Sequence, residues 1–322
     1  MVTAHTKRLF ARSRRARPSC RTPRGRRAAL NPGMPIRLLA LDLDGTLLDS
    51  RGRIPERNRA AIERARSRGV RVALVTGRRF RDARPLALEL GLDVPLVAHN
   101  GALTKHAETL ETVAVHLLPL EAARETLRVG REYGADALVS DDHEGAGLLV
   151  YDHIDERDRP LAEYIRWATR IHGEEASRAI LQVESLEDYL DHAPVHISFS
   201  GTHRRTEKLA RRLADELGGA VRLMTTLYPR LDFGLIDVIH PDVSKGTGLK
   251  AVADEYSLTA ADVMAVGDNH NDREMLEWAG TRVVVSNAEP PLFRLEGVHA
   301  TASNDECGVA AAVEKFILGE HL

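Results

Sequence analysis

Cysteine is nearly absent from this chain: among 322 residues only Cys20 and Cys307 carry a thiol. Their unpaired spacing excludes a cysteine-ligated zinc site and fits a reducing compartment, the cytoplasm. No apolar run approaches the roughly 18 residues of a membrane-spanning helix. No segment repeats another, and the histidines never fall at metal-ligand spacing. Lysine is scarce too, six against 39 arginines. That bias reads as the coding habit of a GC-rich genome and gives each lysine more weight.

Acidic residues are missing altogether from positions 1–33, which hold nine arginines and Lys7 and so carry +10. With a net charge of −2 for the whole chain, the rest carries −12. An acidic body argues against a nucleic-acid-binding face. The first 33 residues, punctuated by Pro18, Pro23 and Pro32, read as a disordered basic tail. Three origins fit it: a start assigned upstream of a true Met34, a transit-type peptide, or an arm for a polyanion. A native N-terminus near Met34 would exclude the last.

What is present suits a two-domain protein: 43% apolar and 29% charged residues over a length beyond one small core. From Met34 the pattern alternates buried strand and amphipathic helix. Strands are expected at 38–43, 70–75 and 96–98, with helices at about 55–68 and 80–90. This rhythm implies a parallel sheet with right-handed crossovers. Between about 105 and 237 the texture changes to short alternating strands, at 113–117, 137–140, 148–151, 195–199 and 221–224, mixed with helices near 120–133, 159–171 and 204–217. The first rhythm then returns, with a helix from Lys245, a strand at 263–266, a helix at about 272–279, a strand at 283–285 and a last helix at about 308–318. Trp167 and Trp278 fall at core-facing helical positions.

The strand ends carry the chemistry. Asp42 and Asp44 close the first strand, and alternation places them on one side. Thr76-Gly77-Arg78, Asn100-Gly101 and Gly267-Asp268-Asn269-His270-Asn271-Asp272 follow later strands, and Lys245 opens a helix. In open α/β sheets ligands bind at the carboxyl ends of strands. Converging carboxylates repel one another, a conflict that a hard divalent cation removes, and Mg²⁺ suits a site that also holds phosphate. Helix N-termini, Thr76, Gly77 and Lys245 would receive the phosphate. Asp42 would attack phosphorus and form an aspartyl-phosphate. Asp44 would protonate the leaving oxygen and later activate water, offering the metal only its backbone carbonyl. Arg78 would touch substrate or pair with a carboxylate; Asn100 reads equally as a substrate contact or a turn residue. His270 and the Asp141-Asp142-His143-Glu144 stretch read as loop residues.

These motifs, in this order, resemble those of the haloacid dehalogenase-like superfamily. Asp42-Leu43-Asp44-Gly45-Thr46 resembles its first motif, Thr76-Gly77-Arg78 its second, Lys245 its third and Gly267–Asp272 its fourth. Met275-Leu276 and Asn100-Gly101-Ala102 are similar to the Cof-type subgroup. The resemblance implies an α/β fold: a Rossmann-like parallel-sheet core (34–104 and 238–322) interrupted by an inserted α+β cap domain (105–237). It implies Asp42 as nucleophile and Asp44 as acid/base. Mg²⁺ would be held by Asp42, the Asp44 carbonyl and Asp268, with Asp272 in support, and phosphate by Thr76, Lys245 and Asn271. The implied activity is hydrolysis of a small phosphorylated metabolite, a sugar phosphate or phosphorylated cofactor. A phosphomutase or phosphotransferase using the same aspartate fits the core motifs equally; a non-catalytic sensor would be expected to have lost Asp42, Asp44 or Asp268. The chain departs from the family at Pro290-Pro291, where a helix usually continues, and at Cys307, often Asp.

Overall fold

The computed structural model describes residues 36–154, 176–228 and 232–320, and positions 162, 165, 166, 169 and 170. Most of the helix expected over 159–171, together with Trp167 and the basic tail, lies outside the described residues. In chain order the first elements are β1 (Leu38–Leu41), α1 (Glu56–Ser67), β2 (Arg71–Leu74), α2 (Phe80–Glu89), β3 (Leu96–Ala98), β4 (Leu103–Lys105) and β5 (Thr112–Val115). Then come α3 (Leu120–Tyr133), β6 (Ala137–Asp141), β7 (Leu148–Tyr151), β8 (Ile180–Gln182), β9 (His196–Gly201), α4 (His203–Leu217), β10 (Arg222–Tyr228) and β11 (Phe233–Ile239). The chain closes with α5 (Lys245–Glu255), β12 (Val263–Gly267), α6 (Arg273–Trp278), β13 (Thr281–Val284), β14 (Val298–Ala300) and α7 (Gly308–Phe316).

Five strands form one parallel sheet in the order β14-β13-β12-β1-β2. The four residues of β1 are all buried, as a central strand covered on both faces requires. The bridge Val75–Val97 carries β3 alongside β2, and β3, β4 and β5 make a small antiparallel sheet. A six-stranded sheet in the order β10-β11-β9-β6-β7-β8 is antiparallel except for the β7–β8 pair. Helices α3 and α4 bury apolar stripes against it: Ala123 and Leu127 from one, Leu209 and Leu213 from the other.

The apolar interior divides accordingly. One cluster runs from Ile36 to Ala107 and resumes from Ile239 to Leu318, joined from the segment in between by Val195 and Met224. The second runs from Leu118 to Val238. The hairpin β4–β5 packs with the first cluster through Leu103 and Val115, so apolar packing changes hands some dozen residues after position 105. Trp278 is half-buried against the first cluster. Pro290-Pro291 open a short 3₁₀ turn, Pro290–Arg294, because neither ring nitrogen can donate to a helical ladder. A polar tie joins the halves: the buried Lys105 ammonium donates to the carbonyls of His143, Glu144 and Gly145, at 2.7, 2.7 and 2.6 Å. The loop at 143–145, within a stretch read from sequence as loop residues, thus turns its backbone carbonyls inward.

Candidate active site

The ends of β1, β2, β3 and β12 converge beneath the six-stranded sheet on a cavity of about 390 Å³. Asp42, Asp44, Thr76, Gly77, Arg78, Asn100, Lys245 and Asn271 line it. Strand β1 ends earlier than alternation suggested, at Leu41, although the Asp42 N–H still donates to Val266 O (3.1 Å). Asp42 is therefore held like a strand residue and buried, while Asp44 stands exposed in the following turn. Both still face the cavity. The turn uses Gly45 at φ +84°, where a Cβ would meet the Asp268 carboxylate at 2.3 Å. Thr46 Oγ1 donates to Asp268 Oδ1 (2.9 Å), and Asn287 Nδ2 donates to Gly45 O (2.8 Å).

Lys245 begins α5 behind a reciprocal cap in which Ser244 Oγ accepts from Thr247 N–H and Thr247 Oγ1 accepts from Ser244 N–H. That cap fixes the first turn and aims the ammonium inward. Its Nζ donates to Asp42 Oδ1 and Asp272 Oδ1, each at 2.6 Å, and is 2% exposed. Burial works against its charge, but Asp272 and Asp42 outweigh burial and hold its pKa above the usual lysine value. The other oxygen of Asp272 accepts from the N–H groups of Asp268 (2.9 Å) and Asn269 (3.0 Å).

Carboxylate oxygens of Asp42, Asp268 and Asp272 approach to within 4.8 Å of one another. One ammonium cannot balance three carboxylates. Burial, and next the charge of Asp272, push Asp42 well above the ordinary carboxylate range; the same two causes take Asp268 to about 7. This donor set, hard oxygens with excess negative charge in a buried place, fits a divalent cation.

Arg78 settles between its two expected roles by gripping Asp44: Nε to Oδ2 at 2.7 Å and Nη2 to Oδ1 at 2.6 Å. Thr76 Oγ1 is buried and accepts from Arg78 N–H (3.1 Å). Asn271 Nδ2 donates to Asn100 Oδ1 (3.0 Å), and Asn100 Nδ2 to Asp237 Oδ2 on β11 (3.3 Å). His270 remains half-exposed at the loop, 3.7 Å from Glu289.

His99, Asn100 and Gly101 all adopt positive φ, at 52°, 55° and 104°. A Cβ on Gly101 would lie 2.0 Å from Ser244 O, next to Lys245. Gly101→Ala is expected to cost on the order of 3 kcal/mol or more, read as a lower denaturant midpoint. His99 Nε2 accepts from Phe80 N–H (3.0 Å), so its proton sits on Nδ1 and is donated to His196 Nδ1 on β9 (2.8 Å). His196 then turns Nε2–H toward Ser140 Oγ (3.2 Å). Burial first, and for His99 the neighbouring His196 next, lower both pKa values, His196 to about 3.

Four contributors escaped sequence reasoning. Thr46 stood inside the first motif but was given no role. Asp237 interrupts the apolar run Phe233–Ile239, the one signal that could have marked it. His99 and His196 carry no local pattern, since their contact exists only across the two sheets.

The sequence pattern of the haloacid dehalogenase-like hydrolases matches residues 39–313. The stress response protein YhaX of Bacillus subtilis is 30% identical over 88% of this chain and 94% of its own length. The HMP-PP phosphatase of Cronobacter sakazakii is 30% identical over 80% of this chain and 86% of its own. In structure, a haloacid dehalogenase-like hydrolase from Bacteroides thetaiotaomicron superimposes with a TM-score of 0.72 at 24% identity, covering 87% of this chain and 99% of that one.

Proposed function

Because this chain belongs to the haloacid dehalogenase-like hydrolases, we propose that it hydrolyses a small phosphorylated metabolite, a sugar phosphate or phosphorylated cofactor, through an aspartyl-phosphate on Asp42. The observation that carries this reading is the buried Lys245 ammonium at 2.6 Å from both Asp42 and Asp272, inside a cavity roofed by a second domain. One oxygen of Asp42 is held by Lys245; the other attacks phosphorus as the bond to the leaving alcohol breaks. Asp44 gives its proton to the leaving oxygen, then takes one from the water that splits the phosphoryl group from Asp42. Arg78 holds both Asp44 oxygens, so proton delivery requires Asp44 to exchange that partner for substrate. Thr76, Gly77, Lys245 and Asn271 receive the phosphate oxygens. The cap, β6–β11 with α3 and α4, excludes bulk water.

Asp42, Asp268, Asp272 and the Asp44 carbonyl would hold Mg²⁺, which supplies charge neutralisation for nucleophile and phosphate alike. Chelator is expected to abolish turnover and Mg²⁺ to restore it. Asp268, raised to about 7, must lose its proton before it can ligate. Asp42 is raised as well, so the Mg²⁺ concentration for half-activity is expected to rise by about tenfold or more per pH unit below about 7, measured by metal titration. Two widely separated cysteines suit a cytoplasmic setting. The deciding experiment is phosphate release from a panel of phosphorylated metabolites without added acceptor, with Mg²⁺ and with chelator. Turnover only when a sugar acceptor is supplied would replace hydrolysis by transfer.

A further inference from the structure

A chain of four polar side chains crosses from the cap to the phosphate side of the cavity. Ser198 Oγ donates to Asp237 Oδ1 (2.8 Å), Asn100 Nδ2 donates to Asp237 Oδ2 (3.3 Å), and Asn271 Nδ2 donates to Asn100 Oδ1 (3.0 Å). Ser198 and Asp237 belong to the cap strands β9 and β11; Asn100 and Asn271 follow the core strands β3 and β12. Asp237, Ser198 and Asn100 are all buried.

The chain has a single direction. An ionised carboxylate only accepts, so Asn100 must turn its NH₂ toward Asp237 and its oxygen toward Asn271. Asn271 must then turn its NH₂ toward Asn100. One amide hydrogen of Asn271 remains for a ligand, and its Oδ1 is buried without a partner. Were Asp237 withdrawn with the cap, nothing in this chain would prevent the Asn100 amide from flipping. Asn100 would then offer a donor to a donor, and Asn271 would lose its orientation.

We propose that Asp237 is a positioning residue that makes the phosphate contact of Asn271 conditional on closure of the cap. The proposal rests on the phosphatase reading above. It assigns the left-handed Asn100 the task of relaying cap position to the phosphate site. Backbone strain at this place has a use: φ +55° brings the Asn100 side chain between the two partners, and Gly77 leaves room for it, since a Cβ there would lie 2.9 Å from Asn100 Oδ1.

The test is a double-mutant cycle on Mg²⁺-loaded enzyme with p-nitrophenyl phosphate, using Asp237→Ala, Asn271→Ala and the pair. Asp237→Ala is expected to lower kcat by about 10-fold to 100-fold with KM changed less than about threefold. The double variant is expected to be no slower than Asn271→Ala alone, because Asp237 acts only through Asn271. Asp237→Asn keeps an oxygen acceptor for Asn100 and can donate to Ser198, so it is expected to stay within about threefold of wild-type kcat; it also guards against a folding defect in the alanine variant. Multiplicative losses in the cycle, or a loss in Asp237→Asn equal to that in Asp237→Ala, would overturn the proposal. Undiminished kcat in Asp237→Ala beside an impaired Asn271→Ala would overturn it while sparing the phosphatase reading. Full turnover by Asp42→Asn would instead remove that reading, and this proposal with it.

Discussion

Asp42→Asn is expected to lower phosphate release by about 10⁵-fold or more, the scale on which loss of an enzymatic nucleophile acts. The replacement has the same shape and keeps an oxygen for the Lys245 ammonium, which sits 2.6 Å from Asp42 Oδ1. Packing therefore survives. An amide oxygen is too weak a nucleophile to open a phosphate ester, so chemistry alone is lost. The three-carboxylate cluster sheds one charge in this variant, and the metal-free protein is expected to unfold at the wild-type temperature or somewhat above it. The paired measurement separates a chemical from a structural defect: collapsed turnover with a retained unfolding midpoint. Full activity on p-nitrophenyl phosphate would exclude the aspartyl-phosphate route.

Lys245→Ala is expected to be damaging in two ways. Removing one preorganised charge-stabilising donor costs on the order of 10²–10³ in rate. It also leaves Asp42 and Asp272 buried without the cation they share, a loss of about 3–5 kcal/mol. The sign of the pH dependence follows. Without the ammonium, which works against the other causes that raise Asp42, the Asp42 carboxyl takes up a proton more readily in the folded state, so folding of the variant is favoured as pH falls and disfavoured as pH rises. Its stability deficit is expected to shrink between pH 8 and pH 6, by denaturant titration in chelator at each pH. A deficit that does not change over that range would show that Lys245 acts through packing alone.

Much of this arrangement was legible in the sequence, for reasons that differ by element. The strands β1, β2 and β12 are short apolar runs that end in chemistry-bearing residues, so burial and site could be read together. The helices α3 and α4 carry clear apolar stripes, and their observed bounds differ from expectation by at most a residue. Strands β4, β8, β11 and β14 were not read: three of them have only three residues and owe their existence to their neighbours, while in the seven-residue β11 the acidic Asp237 breaks the apolar run at the expected domain boundary. Within the site, local spacing found the carboxylates and Lys245 but not their partners. The grip of Arg78 on Asp44 spans 34 positions, and the Asn100–Asp237 contact spans 137. The first pair exists only once two strands of one sheet lie side by side and the second only once two sheets meet, and no single window of sequence contains either.

The first strand of the parallel sheet, interior in its order, carries a cost of timing. On one side β1 pairs with β2, made soon after it; on the other, Leu38 pairs with Val263. At about 5–20 residues per second, the ribosome delivers that second neighbour roughly 10–45 s after β1 itself is made. Throughout the delay an apolar strand with an open ladder edge stands unprotected in the nascent chain. Folding of the six-stranded domain in between shortens the gap to be closed, so a variant that unravels this excursion is expected to aggregate during synthesis even where every catalytic residue is intact.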